Sequence, residues 1–235
     1  MNLEIKKIRE LSATGAMCLI YGYSGCGKTH SVSTLPHGET LIINSDRGTR
    51  TLDSIAPEID VCHVATIEES YCIPAILEPY RYVVFDSLTA FGELLLIQFK
   101  SGKTKDGNKM HGQAAYGRMG DSVMKMLYHF STMPHIFIIL AQDQRVNFED
   151  AGIFDYCYCP EIPGKSYARG LPFRFDFVWP IRTKLIEDGS GNEIQSRRFQ
   201  TNMTGDGQYL AKTRGNELDL YEEVNLTNVF KKLGL

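Results

Sequence analysis

The chain has 235 residues, 43% of them hydrophobic, which is enough for one sizeable α/β core. A net charge of −3 names no partner by bulk charge, so the local distribution of cations has to do so. No apolar run is long enough to cross a bilayer, the start Met1-Asn2-Leu3-Glu4-Ile5-Lys6-Lys7 lacks the apolar stretch of a secretory signal, and the cysteines include no CxxC pair, which predicts reduced thiols in a cytoplasmic protein.

Residues 1–16 form an N-terminal segment ahead of the first predicted strand, Met17-Cys18-Leu19-Ile20-Tyr21. That strand runs into Gly22-Tyr23-Ser24-Gly25-Cys26-Gly27-Lys28-Thr29, the G-x-x-x-x-G-K-[ST] pattern of a phosphate loop. Glycines in such a loop let successive backbone N–H groups converge on phosphate oxygens, and a helix predicted over 28–35, opening with Lys28, Thr29 and His30, adds its dipole. The pattern predicts ATP held by residues 22–30, with Lys28 reaching the β- and γ-phosphates and the Thr29 hydroxyl holding Mg²⁺.

Thr40-Leu41-Ile42-Ile43-Asn44 reads as the second strand and closes on Ser45-Asp46-Arg47-Gly48, followed by a helical stretch over 67–77. Tyr82-Val83-Val84-Phe85-Asp86 is an apolar strand ending in a carboxylate, the Walker B pattern, in which Asp86 orients Mg²⁺ beside Thr29. Ser87 would cap a helix over 88–99, and helix capping is also the bland alternative for Asp46 and Asp86. A second helix spans 113–133, and Ile136-Phe137-Ile138-Ile139-Leu140-Ala141 ends in Gln142. Strands alternating with helices predict parallel βαβ units, whose ligands sit at the carboxyl ends of the strands. Asp46 is then placed to activate the attacking water and Gln142 to sense the γ-phosphate.

Two segments between these elements read as long loops suited to single-stranded DNA. The first, 100–118, carries Lys100, Lys103, Lys105, Lys109 and Arg118 against Asp106, with Tyr116 among them. The second, 143–174, mixes Arg145, Lys165, Arg169 and Arg174 with Phe148, Phe154, Tyr156, Tyr158 and Tyr167, although Glu149, Asp150, Asp155 and Glu161 interrupt a continuous cationic groove. Cys157 and Cys159 add a weak zinc signal. Extended segments over 175–186 and 193–202 flank Asp188-Gly189-Ser190-Gly191-Asn192 and predict an antiparallel hairpin. Lys212-Thr213-Arg214 follows, and 220–235 has the apolar spacing of an amphipathic terminal helix.

The ordered set formed by 22–29, 44–48, Val83-Val84-Phe85-Asp86-Ser87-Leu88, 138–142, Pro160-Glu161-Ile162-Pro163-Gly164-Lys165 and Ala211-Lys212-Thr213-Arg214 resembles phage ATPases of the RecA-like single-strand annealing (Sak) group, a phage nucleotide-binding protein family. The resemblance implies a single RecA-like ATPase domain over 1–235, with a mainly parallel sheet and a C-terminal antiparallel hairpin. It also implies a Mg²⁺-dependent, single-stranded-DNA-binding ATPase of DNA recombination or annealing, in the host bacterial cytoplasm. Its partners would be further copies of itself in a ring or filament, and a single-strand-binding protein. The Lys212-x-Arg214 pair resembles fingers that complete a neighbouring subunit's site. The family pattern often has Glu at the position of Asp46 and His at that of Gln142, and Gln there is more like RecA itself. A helicase-like or loader motor, a nucleotide kinase, and a module that holds ATP without turnover stay open as alternatives.

Overall fold

The computed structural model describes residues 15–46, 48–102, 112–147, 156–164, 167, 170–187, 193–215 and 218–235, without the side chains of Ile67 and Ile186. The four predicted apolar strands form β1 (Ala16–Tyr21), β2 (Thr40–Asn44), β4 (Tyr82–Asp86) and β5 (Ile136–Ala141). Every residue in the four is buried, so each reads as a continuous apolar run. Together with β3 (Asp60–His63), β8 (Phe177–Glu187), β9 (Glu193–Gln200), β10 (Lys212–Thr213) and β11 (Tyr221–Glu223) they make a nine-stranded sheet. Its order is β11-β9-β8-β1-β5-β4-β2-β3, with β10 beside β8. The fold is α/β with a mainly parallel sheet and an antiparallel C-terminal hairpin, as the sequence predicts.

The period-2 alternation of the central strands sorts the core onto two faces. Met17, Leu19, Tyr21, Val83, Phe85, Phe137 and Ile139 point one way, under α3 (Leu88–Ser101) and α4 (Gly112–Ser131). Helix α4 fits that face through Ala115, Met119, Val123 and Leu127, one residue per turn. Cys18, Ile20, Ile42, Val84, Ile138 and Leu140 point the other way, under α1 (Lys28–Val32) and α5 (Leu226–Lys232). There Phe230 stacks between Tyr82 and Trp179. Helix α5 is held at its start by Asn225, which accepts from Asn228 N–H, and by Leu226 N–H donating to Thr34.

Several expectations change. The 67–77 helix stops early, as α2 (Ile67–Ser70) followed by a 3₁₀ turn at Ile73–Ile76, because Pro74 has no N–H to continue the ladder. Helix α3 extends to Ser101 and α4 opens at Gly112, so Lys100, Tyr116 and Arg118 lie on helices; Lys103, Lys105 and Lys109 lie outside the described residues. The described part of 143–174 is not one long loop. It folds as a separate antiparallel hairpin, β6 (Asp143–Asn147) with β7 (Tyr156–Pro160), and a 3₁₀ turn at Leu171–Arg174; Phe148, Phe154, Lys165 and Arg169 are outside the described residues. The terminal helix is shorter than 220–235, since β11 takes the residues before it.

Candidate nucleotide-binding site

β1 delivers the phosphate loop at the carboxyl edge of the sheet. Gly25 and Gly27 sit at φ 80° and 102°, a left-handed region that a side chain would strain, and this turns the loop around an open concavity. In a cavity of about 420 Å³, Ser24, Gly25, Gly27, Lys28, Thr29 and His30 meet Asp46, Gly48, Thr51, Asp86, Ser87, Gln142 and Arg197. Gly22, Tyr23 and Cys26 do not line it. The Gly22 and Tyr23 carbonyls instead accept from Lys28 Nζ at 2.7 and 3.0 Å, and Cys26 points into the core, where burial pushes its thiol pKa up.

Asp86 is 4% exposed, and its Oδ2 accepts from the Thr29 hydroxyl at 2.8 Å. Burial, together with the nearby charge of Asp46, raises the Asp86 carboxyl to about 6 against the opposing hydrogen bond from Thr29 and the charge of Lys28. Asp46 is held by two donors, Gly48 N–H to Oδ1 at 2.6 Å and Ser87 Oγ–H to Oδ2 at 3.3 Å, while its own N–H donates to Asn44 Oδ1 at 2.9 Å. Ser87 follows a cis Asp86–Ser87 peptide bond and also caps α3 by accepting from Ala90 N–H. Asp46 and Asp86 therefore converge on the cavity; Ser87 rather than Asp86 caps α3, while Asp46 also accepts from Gly48 N–H at the start of a 3₁₀ turn over Gly48–Leu52, as its capping alternative expects.

Gly48 shows how these oxygens are spaced. A Cβ at this position would lie 2.9 Å from Asp46 Oδ1, 3.5 Å from Asp86 Oδ2 and 3.7 Å from Thr29 Oγ1. Two carboxylates and a hydroxyl thus surround one point, and an all-oxygen set of that charge fits a hard divalent cation such as Mg²⁺. Gln142 reaches the rim from the end of β5. Its N–H donates to Thr89 Oγ1 at 2.9 Å, and its carbonyl accepts from Glu161 N–H at 2.6 Å, which leaves the exposed carboxamide at the cavity.

Lys212 and Arg214 are not part of this cavity. β10 pairs antiparallel with the start of β8, toward the opposite edge of the sheet, and there Arg214 Nη1 pairs with Asp176 Oδ1 at 2.7 Å while Lys212 Nζ donates to the Pro172 carbonyl at 3.2 Å. Cys157 and Cys159 are buried in β7, and among the described residues no three His, Cys, Asp or Glu side chains gather as a metal site. Sequence reasoning missed Gly48, Thr51, Ser87 and Arg197, of which Arg197 arrives from β9, far along the chain.

A phosphate loop on a buried parallel strand, facing a buried strand-end carboxylate bonded to the loop threonine, defines a P-loop ATPase domain. The chain belongs to the AAA domain family AAA_24, whose family model matches residues 14–215. No curated protein matches the chain. Among solved structures it is similar to the flagellar accessory protein FlaH from Methanocaldococcus jannaschii, with 12% identity and a TM-score of 0.43 over 84% of this chain and 83% of that one. It is similar to the KaiC-like protein PH0186 from Pyrococcus horikoshii OT3, with 11% identity and a TM-score of 0.45 over 86% and 90%. The P4 protein from bacteriophage phi6 in complex with ADP shows 13% identity and a TM-score of 0.35 over 80% and 55%. Among the described residues no helix is long and apolar enough to cross a membrane.

Proposed function

We propose that the protein is a Mg²⁺-dependent ATPase that binds single-stranded DNA and works as a homo-oligomer in phage DNA recombination or single-strand annealing. The observation that carries the ATPase reading is the convergence of the phosphate loop, Asp46, Asp86 and Gln142 on one cavity. Lys28 leaves the Gly22 and Tyr23 carbonyls to meet the β- and γ-phosphates, and the loop N–H groups take the remaining oxygens. Thr29 and Asp86 would hold Mg²⁺, which neutralises charge on the phosphates when bound. Asp46, fixed by Gly48 and Ser87, accepts the proton of the attacking water, and the Gln142 carboxamide reports the γ-phosphate to the β6–β7 hairpin that follows it.

The DNA half of the reading is supported by the surface beside that hairpin. Arg145 lies 3.9 Å from the centre of the Tyr156 ring, Tyr158 stacks on Tyr209 at 4.7 Å, and Arg182 lies 3.8 Å from the centre of the Tyr209 ring. The rings hold these cations in a cluster beside the hairpin, and a cationic cluster suits a phosphate backbone. Tyr167 packs inward instead, and its ring fills the space over Gly120, where any side chain would collide with it. In the oligomer, Lys212 and Arg214 of one protomer face the triphosphate of the next, Arg214 leaving its exposed pair with Asp176 to do so. Phosphate release measured with and without single-stranded or duplex DNA tests the whole reading. Turnover stimulated by single strands is expected. Turnover indifferent to DNA, with no DNA binding, removes the DNA half, and absence of ATP binding removes the enzyme.

A further inference from the structure

The β8–β9 hairpin is fastened to the phosphate loop from the same subunit. Tyr23 OH and Thr183 Oγ1 are 3.2 Å apart, and Thr183 pairs across the hairpin with Arg197. The Arg197 side chain lies along Gly27. A methyl built on Gly27 would be 3.0 Å from Arg197 Nη1, 3.5 Å from its Cδ and 3.7 Å from its Cζ, so the guanidinium lies against the loop backbone in space that a side chain at 27 would crowd.

Neighbouring arginines of the hairpin are already engaged. Arg198 points to the other face and pairs with Glu223 at 3.4 Å, and Arg182 donates to Gln200 at 3.0 Å. Arg197 is exposed, lines the cavity with Lys28 and Thr29, and makes no hydrogen bond or ion pair among the described residues. It shares its face of β9 with Phe199, which is fully buried against Trp179 in the core cluster that also holds Cys26 of the loop, so the strand cannot rotate the guanidinium away without exposing that ring. A permanently charged fork without a hydrogen-bond or ion-pair partner among the described residues, held against a phosphate loop, matches a phosphate in both charge and geometry.

We propose that Arg197 is a phosphate ligand acting in cis: it binds the nucleotide's phosphate chain beside Gly27 and so ties the β8–β9 hairpin to occupancy of its own site. This rests on the ATP-binding reading above. The role differs from that of Lys212 and Arg214, which would serve a neighbouring subunit. It also makes the hairpin a nucleotide-dependent element, because the nucleotide adds a third attachment beside the Tyr23–Thr183 contact and the Phe199 anchor.

The test uses the full chain. Binding of a fluorescent ADP is titrated for the wild type, Arg197→Ala, Arg197→Lys and Arg198→Ala, with inorganic tripolyphosphate as competitor and thermal melting as the folding control. Arg197→Ala should weaken both ADP and tripolyphosphate about tenfold, Arg197→Lys should recover part of the loss, and Arg198→Ala should match the wild type. Wild-type binding with an Arg197→Ala protein that binds equally well overturns the proposal and leaves the ATP-binding reading standing. A loss confined to ADP, with tripolyphosphate unaffected, also overturns it, since the guanidinium would then contact the base or sugar. A comparable loss in Arg198→Ala overturns it as a general charge effect. Failure of the wild type to bind nucleotide removes both the proposal and the reading on which it rests. Mixed oligomers of Arg197→Ala with Lys28→Ala should stay inactive, because no subunit then carries both groups; recovered activity would place Arg197 in trans and overturn the proposal.

Discussion

Replacing Asp86 by Asn separates the energetic cost of the site from its use. The carboxyl stands at about 6 in the folded chain against 3.8 when unperturbed, raised first by burial and then by Asp46. Well below pH 3.8 it is protonated in both folded and unfolded chains and costs the fold nothing. Between pH 3.8 and about 6 the unfolded chain ionises this group while the folded chain keeps its proton, so stability is lost across that window and levels off above it. At ~1.36 kcal/mol per pH unit the interval corresponds to about 3 kcal/mol at pH 7. Asn keeps an acceptor for the Thr29 hydroxyl and carries no charge, so nucleotide-free Asp86→Asn should be more stable than the wild type by up to about 3 kcal/mol at pH 7 and nearly equal to it at pH 4. For a chain of this size that is a rise in melting temperature of roughly 6–12 °C. Adding Mg²⁺ and a slowly hydrolysed ATP analogue should stabilise the wild type and leave Asp86→Asn nearly unmoved, because the same carboxylate that burdens the empty site would hold the cation. Melting curves from pH 4 to 8, with and without Mg²⁺ and nucleotide, give both comparisons. A stability difference that does not change with pH would refute the electrostatic reasoning, and equal stabilisation of both proteins by Mg²⁺ and nucleotide would refute the metal role.

Three further outcomes are expected. Lys28→Ala should lower phosphate release at least ~100-fold while the chain stays folded, since the Lys28 bonds run to its own loop, to the Gly22 and Tyr23 carbonyls and the Cys26 thiol; near-normal turnover would remove the site. Neutralising Lys103, Lys105 and Lys109 together should weaken single-stranded DNA binding and flatten the slope of log K against log salt by about 2, on ~0.7 per phosphate contact; an unchanged slope takes the first basic segment off the DNA. Arg214→Ala mixed with Lys28→Ala should recover part of the ATPase rate through composite sites, whereas full activity of Arg214→Ala alone, or no recovery in oligomers shown to be mixed, would end the trans assignment.

The central sheet was legible because its strands are buried on both faces. Thr40–Asn44, Tyr82–Asp86 and Ile136–Ala141 are apolar runs bounded by turn residues, and both strand ends and cavity-facing residues follow from them. The strands that escaped sequence reading lack that signal. Asp60–His63 sits at the sheet edge with three of its four residues exposed, so nothing in Asp60-Val61-Cys62-His63 stands out from a loop. Asp143–Asn147 is polar except for Val146, and it becomes a strand by pairing with Tyr156–Pro160 rather than by its own propensity. Aromatics among cations read as a loop over 143–174 because composition does not distinguish a ring waiting for a base from one already stacked, as Tyr158 is on Tyr209.

Arg197 was missed for a different reason. In Glu193–Gln200 two arginines stand side by side, and an alternating strand sends them to opposite faces. Phe199 held the clue: the fully buried ring fixes the core-side face, and residue 197 must share it. What the chain order conceals is where that face leads. Ile181 to Glu187 carries the hairpin past the end of β1, where β9 continues the sheet beside the phosphate loop, and this follows from the β1–β8 register of Tyr21 with Pro180 and not from any local pattern. An arginine of the same subunit therefore stands near the phosphate loop, where the resemblance offered Lys212 and Arg214 from a neighbour. The trans pair has to stand on the mixing experiment alone, while Arg197 already lines the cavity.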